Sequence, residues 1–435
     1  MSTRDSAALD GLLRRATETY ASRNPLSHDY ALKARKFFPG GSTRSALDYA
    51  PFPIVMQRGC GGRLWDVDGH EYIDFLGDFT AGLFGHSNPV IRRAVDAALD
   101  DGISLSAHNI LETQLAELII GRFPSIERVR FTNSGTEASL MALTLARVAT
   151  GKSKFLVFRG GYHGSVLSFA QGSSISNVPY DFIVAEYNDC DAVATLIARH
   201  GAELAAVMVE PMLGAGGCLP GTAEFLATLR RAASDHETIL IFDEVQTSRL
   251  SGGGRQEMLG IRPDLTVLGK YLGGGSSFGA FGGRRDLMEF FNPDHPRSIR
   301  HSGTFNNNNI ISMAAGIAGL RDVFTPDRAT LLTRMGDRLR ERLNEICRRH
   351  GVPLQFLGLG SIMAAHATAA PLHRPADLGG ADERIRDLLF FHLIEDGIYI
   401  AKRGLLALNL ELTEADMRRL ADSVERVALI LRNAF

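Results

Sequence analysis

Between residues 128 and 270, short apolar runs rich in β-branched and aromatic residues alternate with segments of helical period. The apolar runs begin the segments RVRFTNSG, KFLVFRGGYHG, LAAVMVEP, TILIFDEV and LTVLGK, while TEASLMALTLARVATG and AEFLATLRRAASDH are typical of helices. Continuous β-rich runs separated by helices predict a mostly parallel sheet with both faces covered. The predicted fold class is therefore α/β, with a large domain built on this sheet.

Each of these runs ends in polar or glycine residues, such as NSGTEA, GGYHG, DEVQTS and GKYLGGG. In open parallel sheets, ligands bind beyond the carboxyl ends of the strands. The sequence therefore predicts a ligand site at this edge of the sheet.

The ends of the chain predict a smaller α+β domain made from both termini. Two alternating runs flank Asp68-Gly69 and indicate a hairpin, and the chain becomes amphipathic after residue 330. The predicted domains are 1–75 (first part of the small domain), 76–330 (large domain) and 331–435 (second part of the small domain).

Composition excludes several classes of function. The 435 residues are 45% apolar and 22% charged with a net charge of −2, which is ordinary for a soluble globular protein and gives no nucleic-acid or membrane surface. The first residues are too polar for a signal peptide, and no apolar stretch approaches the roughly 20 residues of a membrane helix. The four scattered cysteines predict a reducing, cytoplasmic location without a metal site.

Lys270 and Asp243 are the two residues on which the functional interpretation depends. The chain has only six lysines, and Lys270 follows the apolar run LTVLG, where burial would lower its pKa and make it a nucleophile. Asp243 follows the neighbouring run TILIF. Alone, the aspartate is consistent with a helix cap and the lysine with a surface ion pair. Together they match a pyridoxal 5′-phosphate (PLP) site, in which a lysine binds the aldehyde and an aspartate pairs with the pyridine nitrogen.

Other strand ends supply groups for the rest of such a cofactor. Ser134, Gly135 and Thr136 precede a helix, where N–H groups and the helix dipole favour a phosphate, although the same pattern is common in simple N-caps. Thr304 adds a hydroxyl. Tyr162 offers an aromatic face, or is a core residue beside a turn. His163, which has no second histidine or cysteine at ligand spacing, is not interpreted as a metal ligand.

Taken together, FTNSGTEA, GGYHG, VEP, IFDEVQTS, DLTVLGKYLGGG and HSGTF resemble the class III aminotransferases of the fold type I PLP enzymes, from about residue 35 to residue 420. The resemblance implies a homodimer with shared active sites. It also implies roles by residue match: Lys270 binds PLP, Asp243 pairs with its nitrogen, and Val245 packs opposite Tyr162. Gln246 binds the ring hydroxyl, His163 belongs to the cofactor site, and Ser134, Gly135 and Thr136 hold the phosphate with Thr304 of the neighbouring subunit.

Within this family, FFPGGSTRS, GAFGGRRDLME and SMAAGIAGL are similar to glutamate-1-semialdehyde 2,1-aminomutase. Arg44 and Arg403 depart from that pattern and resemble the β-phenylalanine (β-amino acid) aminotransferases. Guanidinium groups bind carboxylates in bidentate fashion, so two arginines suit an enzyme that accepts both a β-amino acid and a keto acid.

We therefore expect a ping-pong transfer of the amino group of an aromatic β-amino acid to a keto acid such as 2-oxoglutarate or pyruvate. The aminomutase is the alternative, and a non-catalytic regulator is disfavoured because the first 40 residues contain no basic patch. Four apolar residues are candidates either for a side-chain pocket or for the core: Tyr49, Phe52, Leu83 and Phe84.

Overall fold

A computed structural model of the chain describes residues 3–170, 172–303 and 307–434. The helices are α1 (Thr3–Arg23), α2 (Pro25–Ala34), α3 (Pro89–Asp100), α4 (Ile110–Arg122), α5 (Gly135–Thr150), α6 (Cys190–His200), α7 (Ala223–Asp235), α8 (Gly254–Leu259), α9 (Arg285–Met288), α10 (Ile310–Ala318), α11 (Pro326–His350), α12 (Glu383–Glu395) and α13 (Glu414–Arg432). The strands are β1 (Met56–Cys60), β2 (Arg63–Asp66), β3 (Glu71–Asp74), β4 (Arg128–Thr132), β5 (Lys154–Phe158), β6 (Asp181–Ala185), β7 (Leu204–Val209), β8 (Met212–Leu213), β9 (Leu219–Pro220), β10 (Ile239–Asp243), β11 (Leu265–Gly269), β12 (Gly279–Gly283), β13 (Gln355–Leu359), β14 (Ile362–His366), β15 (Ile398–Tyr399) and β16 (Leu405–Ala407).

The chain divides into two compact units. The first contains Met1–Asn88, Met335–Pro371 and Gly380–Phe435, and the second contains Pro89–Arg334 and Leu372–Gly379. The division at residue 334 falls within α11. The predicted domain ranges, 1–75, 76–330 and 331–435, stay a prediction.

A seven-stranded sheet forms the centre of the second unit, in the order β4-β12-β11-β10-β7-β5-β6. The five strands from β11 to β6 run parallel to one another, and β12 runs antiparallel to both β11 and β4. The mostly parallel sheet predicted from the alternating runs is therefore confirmed. The antiparallel β12, GAFGG, was not predicted because five residues with three glycines lack the β-rich pattern of a strand.

Burial explains why the middle strands read as continuous apolar runs. Every residue of β7, β10 and β11 is buried, as expected for strands covered on both faces. Helices α5 and α7 pack against them and begin at the N-caps Ser134 and Thr222, whose side chains accept the N–H groups of Glu137 and Phe225. These caps fix where each helix starts relative to the preceding strand end.

The first unit contains two smaller sheets, in the orders β1-β2-β3-β15 and β13-β14-β16. The predicted hairpin is the antiparallel pair of β2 and β3, which turns at Asp68-Gly69 with Gly69 at φ +91°. Two helices, α1 and α2, precede this hairpin, and Pro25 begins α2 after the N-cap Asn24.

None of the helices in the described residues is long and apolar enough to cross a membrane. The four cysteines are free thiols.

Candidate functional site

Asp243 ends β10 as a buried carboxylate, only 4% exposed. Its Oδ2 atom lies 2.7 Å from Nδ1 of His163, and its Oδ1 atom accepts the N–H of Val245 at 3.0 Å. Since an ionised carboxylate only accepts hydrogen bonds, Nδ1 of His163 is the donor. This pair fixes both side chains at the carboxyl edge of the sheet.

The charge of Asp243 changes the titration of His163. Burial alone would lower the pKa of His163, but the hydrogen bond and negative charge of Asp243 outweigh it and raise the pKa. Nε2 of His163 is buried and has no hydrogen-bond partner among the described residues. Buried polar atoms in folded proteins are nearly always hydrogen-bonded, so this nitrogen is a candidate contact for a bound ligand.

Lys270 directly follows β11, the strand beside β10. The register pairs Asp243 with Val267, three residues before the lysine, so both side chains leave the same edge of the sheet on adjacent strands. Lys270 is half-buried and has φ +57°, in the left-handed region that residues other than glycine rarely adopt. Such a conformation costs on the order of 1 kcal/mol and clusters at functional sites.

Val245 packs against both the candidate phosphate-binding segment, residues 134–136, and the end of β11, which precedes Lys270. A Cβ added to Gly135 would lie 3.2 Å from Cγ2 of Val245, and one added to Gly269 would lie 3.6 Å from its Cγ1. The valine therefore packs between the start of α5 and the residue before Lys270. The structure therefore brings Gly135 and Val245, two predicted site residues, together although they are more than 100 positions apart in the chain.

Thr136 links the start of α5 to the loop that carries His163. Its hydroxyl accepts the N–H of Ser165 at 3.3 Å, and a Cβ on Gly164 would lie 2.3 Å from that oxygen. Ser134 is exposed at the N-terminus of the 16-residue α5, where N–H groups attract an anion. Thr304, the predicted phosphate contact from a neighbouring subunit, lies outside the described residues.

Gln246 and Tyr162 flank the same edge. The amide of Gln246 packs on Gly214, where an added Cβ would lie within 2.4 Å of Nε2, Cδ and Oε1. Oε1 of Gln246 is buried without a hydrogen-bond partner among the described residues, as Nε2 of His163 is. Tyr162 is 43% exposed, and its aromatic side chain could pack against a flat ligand.

Glu210 is a site residue that the sequence analysis missed. It directly follows β7 and is buried, with its carboxylate accepting the N–H groups of Tyr162 and Gly214. Burial raises the pKa of Glu210 above its usual range. The positive charge of His163 opposes this rise in pKa, and the negative charge of Asp243 adds to it. The sequence does contain a signal for this residue, because Glu210, like Asp243, is a carboxylate that directly follows an apolar, fully buried run of residues.

Arg44 and Arg403 lie in the first unit and share one aromatic neighbour there. The guanidinium carbon of Arg44 is 5.7 Å from the ring centre of Phe79, and that of Arg403 is 5.2 Å from it. Arg44, half exposed, also pairs with Asp78 at 2.8 Å. Because both predicted substrate arginines lie next to the same ring, their guanidinium groups are close enough together to bind one ligand.

The turn that presents Phe79 is strained. Three consecutive residues other than glycine have positive φ: Asp78 at 41°, Phe79 at 54° and Thr80 at 80°. Each costs on the order of 1 kcal/mol, and such strain clusters at ligand-binding segments. Arg403 and Phe79 line a cavity of about 390 Å³ in this unit.

The structure separates the four apolar pocket candidates. Tyr49 lines the cavity beside Arg403. Phe52, Leu83 and Phe84 are buried, which favours the core interpretation for these three.

The arrangement in the second unit suits a flat, anionic cofactor. It has a buried carboxylate that could pair with a ring nitrogen and an exposed aromatic side chain that could pack on the ring. Two buried polar atoms have no hydrogen-bond partner among the described residues, and the N-terminus of α5 could bind a phosphate. No cluster of three or more metal-ligating side chains occurs in the part of the chain that the structure describes.

Comparison with known proteins agrees with this geometry. The family model for class III aminotransferases matches residues 45–421. The chain is 51% identical over 413 residues to the beta-phenylalanine transaminase of Variovorax paradoxus, covering 95% of each protein. The crystal structure of a beta-phenylalanine aminotransferase from that organism has a TM-score of 0.94 at 50% identity, covering 96% of this chain and 97% of the other.

Two further proteins share this likeness at lower identity. The chain is 36% identical over 393 residues to the glutamate-1-semialdehyde 2,1-aminomutase of Methylacidiphilum infernorum, covering 86% of this chain and 90% of the relative. A solved transaminase with PLP bound has a TM-score of 0.86 at 30% identity, covering 94% of this chain and 99% of the other.

Replacing Asp243 by Asn should destabilise the protein more in acid than in base. Because the pKa of His163 is raised in the folded state, the Asp243–His163 attraction contributes fully below the unfolded pKa of about 6.5 and is lost as the pH rises through the raised value. We expect a cost on the order of 3 kcal/mol at about pH 6 and a smaller cost at about pH 9. Urea unfolding of the cofactor-free protein at both pH values measures it.

The control for this measurement is Asp286→Asn, because Asp286 makes an exposed pair with Arg284. Its effect should be small and similar at both pH values. An equal cost of Asp243→Asn at both pH values would show that the charge of His163 does not depend on the aspartate.

Proposed function

Because the chain belongs to the class III aminotransferases, we propose that it transfers the amino group of an aromatic β-amino acid to a keto acid. Its architecture is that of fold type I, as predicted from the sequence. The observation that carries the substrate assignment is the 51% identity, along 95% of the chain, to a beta-phenylalanine transaminase.

The cofactor is PLP, as in the solved relative that carries it. When bound, PLP supplies an electron sink that stabilises negative charge at the amine-bearing carbon of the substrate. Lys270 would hold the cofactor's aldehyde carbon and, once its amine is released, would take the proton from the amine-bearing carbon as general base.

The other residues of the second unit would bind and orient the cofactor. Asp243, held by His163, would keep the pyridine nitrogen protonated. Val245 and Tyr162 would flank the ring, and the unpartnered amide oxygen of Gln246 would accept the ring hydroxyl. For the phosphate, the contacts are Ser134, Gly135 and Thr136, with Thr304 of a second copy.

Arg44 and Arg403 would bind the carboxylates of the amino donor and of the keto acid. Their shared contact with Phe79 supports this role, since the ring sets the spacing of the two guanidiniums. Asp78 already pairs with Arg44, so a substrate carboxylate would compete with that aspartate for the guanidinium. The proposed acceptor is a keto acid such as 2-oxoglutarate or pyruvate.

We further propose a homodimer with shared active sites. Ile103, Leu105 and Ile110 are exposed in this single chain. Ile103 and Leu105 line a cavity of about 730 Å³, which also includes Gly303 beside the predicted phosphate contact. A second copy would cover this apolar surface. The free thiols of all four cysteines support a cytoplasmic location.

The wild-type enzyme should form glutamate from β-phenylalanine and 2-oxoglutarate, or alanine when pyruvate is the acceptor. A coupled assay of the amino acid product measures this, and a panel of α- and β-amino acids identifies the donor. Enzyme without added acceptor is the control, because a ping-pong enzyme then stops after the first half-reaction and forms no glutamate or alanine. Activity only on glutamate-1-semialdehyde, without an external keto acid, would contradict the proposal and support the aminomutase.

Arg44→Gln and Arg403→Gln should each raise a substrate KM by about 10- to 100-fold with a smaller effect on kcat, because each removes a charged hydrogen bond to a carboxylate. Steady-state kinetics with each substrate varied in turn would show which arginine serves the donor and which the acceptor. Arg342→Gln, at an exposed site on α11 in the same unit, is the matched control. Unchanged KM values for both substrates in both variants would show that neither arginine binds a substrate carboxylate.

A further inference from the structure

Glu210 connects two loops at the carboxyl edge of the large sheet. One carboxylate oxygen accepts the N–H of Tyr162 at 2.9 Å, and the other accepts the N–H of Gly214 at 3.0 Å. The side chain is 5% exposed, and the hydroxyl of Tyr187 donates to the carbonyl oxygen of Glu210 at 2.8 Å. Both oxygens and the backbone of this residue are therefore fixed.

The two N–H groups belong to segments that carry proposed cofactor contacts. Tyr162 supplies the aromatic face, and its backbone is held directly by the carboxylate. Gly214 is the surface on which the amide of Gln246 packs, with no room for a Cβ between them. A shift of the segment at Gly214 would therefore move Gln246, and a shift of the loop after β5 would move the tyrosine ring.

We propose that Glu210 is a positioning residue for the cofactor site, acting through Tyr162 and Gln246. The inference rests on the proposed function, because it assumes that these two residues bind PLP. A buried charge needs partners in any protein. Here both partners are backbone N–H groups of the loops that carry Tyr162 and Gly214, and neither residue is paired in the seven-stranded sheet. The carboxylate therefore fixes the loops of the proposed cofactor site and not the strands.

The test compares Glu210→Gln with Glu203→Gln. Glutamine keeps one accepting oxygen, but its NH₂ group faces an N–H donor, so one of the two loops loses its partner. Glu203 directly precedes β7, the strand that Glu210 follows, and its exposed pair with Lys154 lies away from the site, which makes it the matched control. The cofactor is removed, and PLP is titrated back while protein fluorescence and the absorbance of the bound cofactor are followed.

Glu210→Gln should raise the dissociation constant of PLP about tenfold and change the absorbance spectrum of the bound cofactor, since an unpartnered buried N–H group costs about one factor of ten in binding. Glu203→Gln should match the wild type. Glu210→Asp keeps the charge but is too short to reach both N–H groups, and it should weaken PLP binding in the same direction.

Three outcomes would overturn the proposal. PLP affinity and spectrum equal to those of the wild type in both Glu210 variants would show that the carboxylate does not act on the site. A lower melting temperature of the cofactor-free chain with unchanged PLP binding would assign it to stability alone. Failure of both variants to fold would do the same. Failure of the wild type to bind PLP would instead contradict the proposed function.

Discussion

The buried contact between Asp243 and His163 is the interaction on which the rest of the site depends. An aspartate at the end of a central strand would be costly without partners, and the imidazole and the N–H of Val245 supply them. This contact fixes the loop after β5 against β10, and Val245 then packs between Gly135 and the strand end that precedes Lys270. The carboxylate of Asp243 therefore contacts the loop after β5 and the start of the loop after β10, and Val245 packs against two further strand-end segments.

Much of this second unit could be predicted because its signals are local. The all-buried run of β10 reads as a strand in any parallel sheet, and a carboxylate directly after it marks the ligand edge. Two charged strand-end residues, Asp243 and Lys270, were enough to indicate the chemistry. The same reasoning would have found Glu210 after β7, had every strand-end carboxylate been considered alike.

Features set by tertiary packing could not be predicted. The residue types at positions 78–80 do not indicate three consecutive residues with a left-handed backbone conformation, because only the surrounding structure stabilises that conformation for Asp78, Phe79 and Thr80. The approach of Arg44 and Arg403 to one ring depends on this turn and joins residues more than 300 positions apart. The glycines of β12 are likewise explained by close neighbours: a Cβ on Gly279 would lie 2.1 Å from the carbonyl oxygen of Ser134.

Lys270, which directly follows the strand next to that of Asp243, is the residue proposed to hold the cofactor. Borohydride reduction of the purified enzyme, followed by peptide mapping with mass spectrometry, tests this assignment, because reduction makes the lysine–cofactor bond permanent. One cofactor per chain, attached to Lys270, is the expected result. Attachment to any of the other five lysines of the chain, or no attachment at all, would contradict it.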